Sequence, residues 1–184
     1  MWASWVDAGL EHLRLVQTDD TVSADGVVIG IEENIPFRIR YEIRCDTWWR
    51  VRELKALSLI GEDDESRLLA DGEGRWTTEA GEIVPHLDGC IDADISATPF
   101  TNTLPIRRLM LDPGESADLA VAYLAVPSLR IETEPQRYTC LERSAKGGIY
   151  RFESLDVSFT ADLSVDADGL VLDYPGLFRR AYPG

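Results

Sequence analysis

Strict alternation of apolar and polar residues is the feature that most restricts how this chain folds. In the segment RIRYEIRCD the apolar side chains are Ile39, Tyr41, Ile43 and Cys45, and every residue between them is charged. Successive side chains of a β-strand point to opposite faces, so a period of two indicates a strand with one buried face. The segment LDVSFTADLSVD repeats the pattern. We therefore predict a mainly β protein.

Turn and helix signals refine this prediction. Four Asp-Gly pairs mark candidate tight turns between antiparallel strands, because glycine tolerates the positive φ that such turns require. These pairs are Asp25-Gly26, Asp71-Gly72, Asp88-Gly89 and Asp168-Gly169. One short helix is predicted in TNTLPIRRL, residues 101–109, with Thr101 or Thr103 as the N-cap and Pro105 in the first turn.

The composition is that of a folded and strongly acidic protein. The chain has 184 residues, 45% of them hydrophobic, which suits one domain spanning residues 1–184. Its net charge of −15 disfavours nucleic acid and anionic membranes as partners, because both bind through basic patches. A neutral, sugar-like or cationic ligand suits this charge better.

The chain carries no signal for export, cofactor binding or metal binding. Its beginning lacks the basic region and apolar core of a secretory signal, and no apolar run approaches the roughly 20 residues of a membrane span, so we expect a cytoplasmic protein. Cys45, Cys90 and Cys140 are too far apart for a zinc motif and are expected to be buried free thiols. We expect no cofactor and no metal.

Closely spaced aspartates in DGCIDADIS are the first candidate site. In an extended strand Asp92 and Asp94 share a face with Asp88, Cys90 and Ser96. This pattern fits a solvent-facing strand edge, or the wall of an acidic pocket that binds sugar hydroxyls. A carboxyl pair roughly 5–9.5 Å apart is also the geometry of a glycosidase. Two such charges are expected to repel each other and cost stability unless water, ligand hydroxyls or an arginine such as Arg107 or Arg108 offsets them.

Two further segments supply candidate binding residues. In CDTWWRVR, Asp46, Arg50 and Arg52 flank Trp48 and Trp49, a combination that indicates either a core strand or a platform for a sugar or an acyl chain.

In GLEHLRL, strand alternation places Glu11 on the same face as Leu13 and Leu15. A carboxyl group on a buried apolar face must be paired, protonated or part of a functional site, which makes Glu11 a candidate pocket residue. The alternative is that Glu11 lies at the exposed start of a strand.

Taken together, these segments resemble a family of bacterial proteins described as "putative glycolipid-binding". The resemblance covers nearly the whole chain and is most specific in Gly89-Cys90 with Asp92 and Asp94, in residues 98–108 and in the ending Tyr174-Pro175-Gly176. It implies a large, many-stranded antiparallel sheet, half-barrel-like, wrapped around a single α-helix. It also implies a homodimer and a distant similarity to the lipoprotein localisation factors.

By the same resemblance, the chain binds a glycolipid or a sugar head group in an acidic pocket, with a role in glycolipid metabolism or cell-envelope stress. The alternative is a hydrolase that acts on glycosides or lipids through Asp92 and Asp94, although no activated nucleophile or metal motif accompanies that pair. Residues that match the motifs of the family or the pattern above form the predicted ligand site. They are Asp92, Asp94, Asp46, Trp49, Arg50, Arg52, Gln136, Tyr138 and Glu11.

Overall fold

The structure, a computed structural model, describes residues 1–5, 8–60 and 64–182 and has one large β-sheet. Fourteen strands make up this sheet in the described part of the chain. The strands are β1 Trp2–Ser4, β2 Leu10–Gln17, β3 Val22–Glu32, β4 Ile35–Cys45, β5 Val51–Ser58, β6 Glu65–Ala70, β7 Trp76–Thr78, β8 Asp92–Ile95, β9 Ser116–Ala125, β10 Arg130–Ser144, β11 Gly147–Ser154, β12 Phe159–Asp166, β13 Val171–Tyr174 and β14 Phe178–Arg180.

The sheet consists of two halves that meet at its centre. Neighbouring strands follow the order β7-β6-β5-β4-β3-β2-β1-β14-β13-β12-β11-β10-β9-β8, so the first and last strands of the chain pair with each other. All strand pairs of the sheet are antiparallel except β8 with β9, which are parallel. A parallel pair requires a crossover connection, and the helical segment between these two strands supplies it.

The helical segment lies between the two halves of the sheet. A 3₁₀ turn, Pro99–Asn102, leads into α1, Thr103–Leu109. Leu104 belongs to a hydrophobic cluster that includes residues of β1, of β3–β5 and of β8 and β9, and Ile106 belongs to the cluster of β10–β13. The prediction of a many-stranded sheet around a single helix is therefore confirmed.

The predicted helix caps are wrong. Thr98 is the residue that caps the segment, since its Oγ1 accepts a hydrogen bond of 3.0 Å from the backbone N–H of Phe100. The hydroxyl of Thr101 instead donates to Asp94, and that of Thr103 donates to the carbonyl oxygen of Gly169. Both side chains are used to hold the segment against the sheet.

The predicted turn at Asp25-Gly26 is also wrong, because both residues lie inside β3. Gly26 pairs with Tyr41 on β4, and the ring of Tyr41 occupies the space where a side chain at position 26 would stand. A Cβ there would lie only 2.2 Å from the ring. Glycine is required here for the close approach of an aromatic ring, not for a positive φ.

Other predicted features are found in the structure, but two of the predicted strands begin at later residues. Ile39, Tyr41, Ile43 and Cys45 are buried as predicted, and all three cysteines are free and buried. The strand predicted at 155–166 begins only at Phe159. Asp88 and Cys90 precede β8 rather than sharing its face with the later aspartates.

Candidate functional site

Asp94, a partly buried residue of β8, is the centre of a cluster of polar side chains. Its Oδ1 accepts a hydrogen bond of 2.6 Å from Thr101 Oγ1, and its Oδ2 accepts one of 2.7 Å from Gln136 Nε2 on β10. Burial raises the pKa of Asp94, while these two hydrogen bonds oppose the increase. The 3₁₀ turn and β10 therefore fix the position and orientation of this carboxyl group.

A cavity of about 270 Å³ opens beside Asp94. Glu134 on β10 is a second acidic side chain in its wall, and Ser154 Oγ donates to Glu134 Oε1 at 2.9 Å. The pKa of Glu134 is raised by burial first and then by the charges of Asp94 and Asp156, whereas the Ser154 hydrogen bond lowers it. Two carboxyl groups thus share one partly buried cavity.

Aromatic side chains form much of the remaining wall of this cavity. They are Phe152, Phe159, Tyr174 and Phe178, whose neighbouring rings lie with centroids 6.1 Å apart. Tyr123 on β9 also lines it, and its pKa is raised to about 12 by burial and then by Asp94 and Glu134. The cavity therefore combines fixed hydrogen-bonding groups with flat apolar surfaces.

A second cavity, of about 290 Å³, adjoins the first. Four residues belong to the walls of both: Ser96, Tyr123, Leu177 and Phe178. Most of its own wall is apolar, with Trp2, Val28 and Phe37 among the lining residues. We name the first the Asp94 cavity and the second the Glu11 cavity.

Glu11 lies in the wall of the Glu11 cavity and is only 2% exposed. Its Oε1 accepts hydrogen bonds of 2.5 Å from the Tyr41 hydroxyl and 2.8 Å from Thr98 Oγ1. Its Oε2 is buried without a hydrogen-bond partner. Burial raises the pKa of Glu11 to about 7, so this carboxyl group changes charge near neutral pH.

Asp92 faces the helical segment like Asp94 but has a different environment. It is fully buried, and both of its oxygens accept hydrogen bonds from Arg108 of α1, at 2.5–3.2 Å. It lines neither the Asp94 cavity nor the Glu11 cavity. A carboxylate that is closed off from solvent and held by a guanidinium group is poorly suited to act as a general acid or base.

Gln136 and Tyr138 on β10 lie next to Asp94. Both are buried, and the hydroxyl of Tyr138 accepts a hydrogen bond of 2.8 Å from Asn102 Nδ2. Gln136 Oε1 is buried without a partner. The structure therefore brings three predicted site residues, Asp94, Gln136 and Tyr138, into one region, with Glu11 in the adjoining cavity.

The other predicted residues, in the segment 46–52, lie elsewhere. Asp46 closes a turn, because its Oδ1 accepts from the backbone N–H groups of Trp48 and Arg50. Trp49 is buried with a φ of +64° and packs its ring 5.0 Å from the guanidinium carbon of Arg107.

Arg50 pairs with Glu73, and Arg52 donates to the carbonyl oxygen of Asp71. Trp48 and Trp49 contribute to a separate cavity of about 400 Å³ near the end of α1. Cys90 lines neither of the two adjoining cavities.

Several lining residues were not predicted from the sequence. Glu134, Tyr123 and Thr98 belong to this group. Glu134 stands two positions before Gln136, so strand alternation along β10 places the two on one face and was a usable signal. No local pattern marks Tyr123 or Thr98, because the crossover from β8 to β9 is what brings them to the cavities.

Across residues 1–5, 8–60 and 64–182, no group of three or more histidine, cysteine or acidic side chains is arranged to hold a metal ion. In the same described ranges, no helix has the length and apolarity needed to cross a membrane.

The chain matches a family model and a solved structure. The model of a family described as "putative glycolipid-binding" matches residues 1–180. The chain is similar to the crystal structure of a DUF1089 family protein from Pseudomonas aeruginosa, with 40% identity and a TM-score of 0.83. That alignment covers 94% of this chain and 91% of the other. No curated protein matches the chain.

Proposed function

The chain belongs to the "putative glycolipid-binding" family, and we propose that it binds the sugar head group of a glycolipid or related amphiphile in the Asp94 cavity. One observation carries the proposal: Asp94 and Glu134 stand in the same cavity as a cluster of aromatic rings. The proposal is supported by chemistry, because carboxyl groups accept hydrogen bonds from sugar hydroxyls.

The chemistry of the lining residues favours a neutral polyol over an anion. Carboxylate oxygens accept hydrogen bonds from hydroxyl groups, and the side chains of Ser154, Asn102 and Tyr123 add further polar contacts. The apolar faces of a sugar ring pack against aromatic side chains. Two carboxyl groups and a net charge of −15 disfavour a phosphate or sulfate group at this position.

The adjoining Glu11 cavity supplies the room for an apolar tail. Each cavity alone falls just below the range of about 300–1,000 Å³ that is typical of small-molecule sites, and together they fall within it. The shared wall of Ser96, Tyr123, Leu177 and Phe178 makes the two cavities neighbours. An amphiphile with its head at Asp94 and its tail towards Glu11 fits this division.

Binding is better supported than hydrolysis. Asp92 is enclosed by its ion pair with Arg108, and Asp94 already accepts two short hydrogen bonds from neighbouring side chains.

The proposal also retains a cytoplasmic location, the homodimer and the role in glycolipid metabolism or cell-envelope stress, all of which stay predictions.

The proposal is tested by calorimetric titration with octyl glucoside, with an octyl oligoethylene glycol ether as the sugar-free comparison. We expect the glucoside to bind more tightly than the ether. Glu134→Gln is expected to weaken glucoside binding by about tenfold, because a hydrogen bond to a charged group contributes roughly 1.5–3 kcal/mol. Glu132→Gln, which changes an exposed acid on the same strand, is the matched control.

Equal binding of the two probes, or equal effects of the two variants, would contradict a sugar-binding role for this cavity.

A further inference from the structure

The Glu11 cavity poses a chemical problem that a simple hydrocarbon tail does not solve. A plain alkyl chain satisfies its apolar wall but leaves Glu11 Oε2 buried without a hydrogen bond. Leaving a buried polar group unpaired costs free energy, because the group has lost its hydrogen bonds to water and gained none in return. A ligand group that reaches Oε2 recovers this free energy.

The contacts of Glu11 determine which kind of group that is. Tyr41 and Thr98 both donate to Oε1, so a proton on this carboxyl group resides on Oε2. Burial raises the pKa of Tyr41 well above its ordinary value, which keeps its hydroxyl protonated as a donor. In its neutral form Glu11, a wall residue of an apolar cavity, therefore has a single O–H donor without a protein partner.

We propose that the Glu11 cavity is an acyl subsite in which the Oε2–H of Glu11 donates a hydrogen bond to the carbonyl oxygen of an acyl ester or amide. This inference rests on the proposed function, since it assigns the apolar part of the same amphiphile. The ligand class is then an acylated sugar, rather than an alkyl ether of a sugar.

Burial in apolar surroundings favours the neutral form of Glu11. The titratable groups around it are Tyr41 from β4, Tyr123 from β9, Glu32 at the end of β3 and the amino group of Met1 before β1. Burial raises the pKa of Glu11 by more than the hydrogen bonds from Tyr41 and Thr98 and the charge of the Met1 amino group together lower it. Arg180 from β14 acts on Met1 and is itself paired with Asp166.

The test uses two glucose derivatives substituted at the same hydroxyl, one with an octanoyl ester and the other with an octyl ether. Only the ester carries a carbonyl acceptor. If the ester binds only neutral Glu11, its apparent affinity falls by about tenfold between pH 6 and pH 8, because the neutral fraction falls by that factor around a pKa of about 7. The ether is expected to change much less.

Glu11→Gln is the decisive variant. Its amide oxygen can still accept from Tyr41 and Thr98, and its amide N–H₂ replaces the O–H as a donor at every pH. The variant is expected to bind the ester at pH 8 at least as tightly as the wild type does at pH 6, with no dependence on pH. Glu132→Gln, which changes an exposed acid outside both cavities, is expected to keep the wild-type dependence.

The outcomes separate the two proposals. If neither probe binds, the proposed function is wrong. If both bind equally, with the same pH dependence in the wild type, the sugar site stands and the acyl subsite is overturned. Tighter ester binding at higher pH would also overturn it, because that sign requires an ionised Glu11 that accepts from the ligand. The wild-type measurements decide this even if the variant fails to fold.

Discussion

The substitution Glu11→Gln is expected to change how the stability of the protein depends on pH. Glu11 has a pKa of about 7 in the folded protein, compared with an ordinary value of 4.5. Between these values the folded state holds a proton that the unfolded state has released, so the free energy of unfolding decreases as the pH rises. The stabilising contribution of the neutral carboxyl group is complete below pH 4.5 and is lost as the pH passes about 7.

The size of the effect follows from the shift in pKa. One pKa unit corresponds to 1.36 kcal/mol, so ionisation of Glu11 costs about 3 kcal/mol at pH 8 and about 1 kcal/mol at pH 5. Glutamine keeps the acceptor for Tyr41 and Thr98 but does not ionise. Relative to the wild type, Glu11→Gln should therefore gain about 2–3 kcal/mol between pH 5 and pH 8.

Urea unfolding followed by tryptophan fluorescence measures this difference. The comparison of variant with wild type at each pH removes the contributions of other titrating groups, including Asp92, Asp94 and Glu134. Glu32→Gln serves as the control, because Glu32 is exposed. A difference between variant and wild type that is the same at pH 5 and pH 8 would refute the assignment of a raised pKa to Glu11.

Three further substitutions test the packing around the site. Gly26→Ala is expected to destabilise the protein by about 1–3 kcal/mol in urea unfolding, because its Cβ would overlap the ring of Tyr41; an unchanged midpoint would contradict this contact. Asp92→Asn is expected to cost about 3–5 kcal/mol, since it leaves the charge of Arg108 uncompensated, whereas Asp118→Asn in an exposed ion pair is expected to cost much less; similar losses would refute the burial of the Asp92 pair. Thr98→Val removes both the cap of the 3₁₀ turn and a donor to Glu11, so a loss of about 1–2 kcal/mol in the free energy of unfolding is expected. Thr139→Val, which removes an exposed hydrogen bond on β10, is the comparison.

Period-two patterns predicted the strands well because each strand has one buried face. The faces of Tyr41 and Glu11 were predictable in this way, whereas the sequence left open whether Glu11 is buried or exposed. The place of Gly26 inside a strand was not predictable, because glycine is required there by an aromatic ring on the next strand. A contact between residues on different strands cannot be predicted from the local sequence around Gly26.

The two aspartates show the same limit at the candidate site. Strand alternation correctly placed Asp92 and Asp94 on one face, but it left open which group offsets each charge. In the structure each has its own partners, Arg108 for Asp92 and Thr101 with Gln136 for Asp94. These partners come from the crossover helix and from β10, so only the tertiary fold separates a structural ion pair from a cavity residue.

The proposed occupant of the Asp94 cavity is a sugar-bearing amphiphile. Mass spectrometry of the organic extract of protein purified without detergent would detect it, with Glu134→Gln and the control Glu132→Gln prepared in the same way. We predict an amphiphile with a sugar head group in the wild type and in Glu132→Gln, and its depletion in Glu134→Gln. An extract without such a molecule, or equal amounts in all three proteins, would contradict the claim.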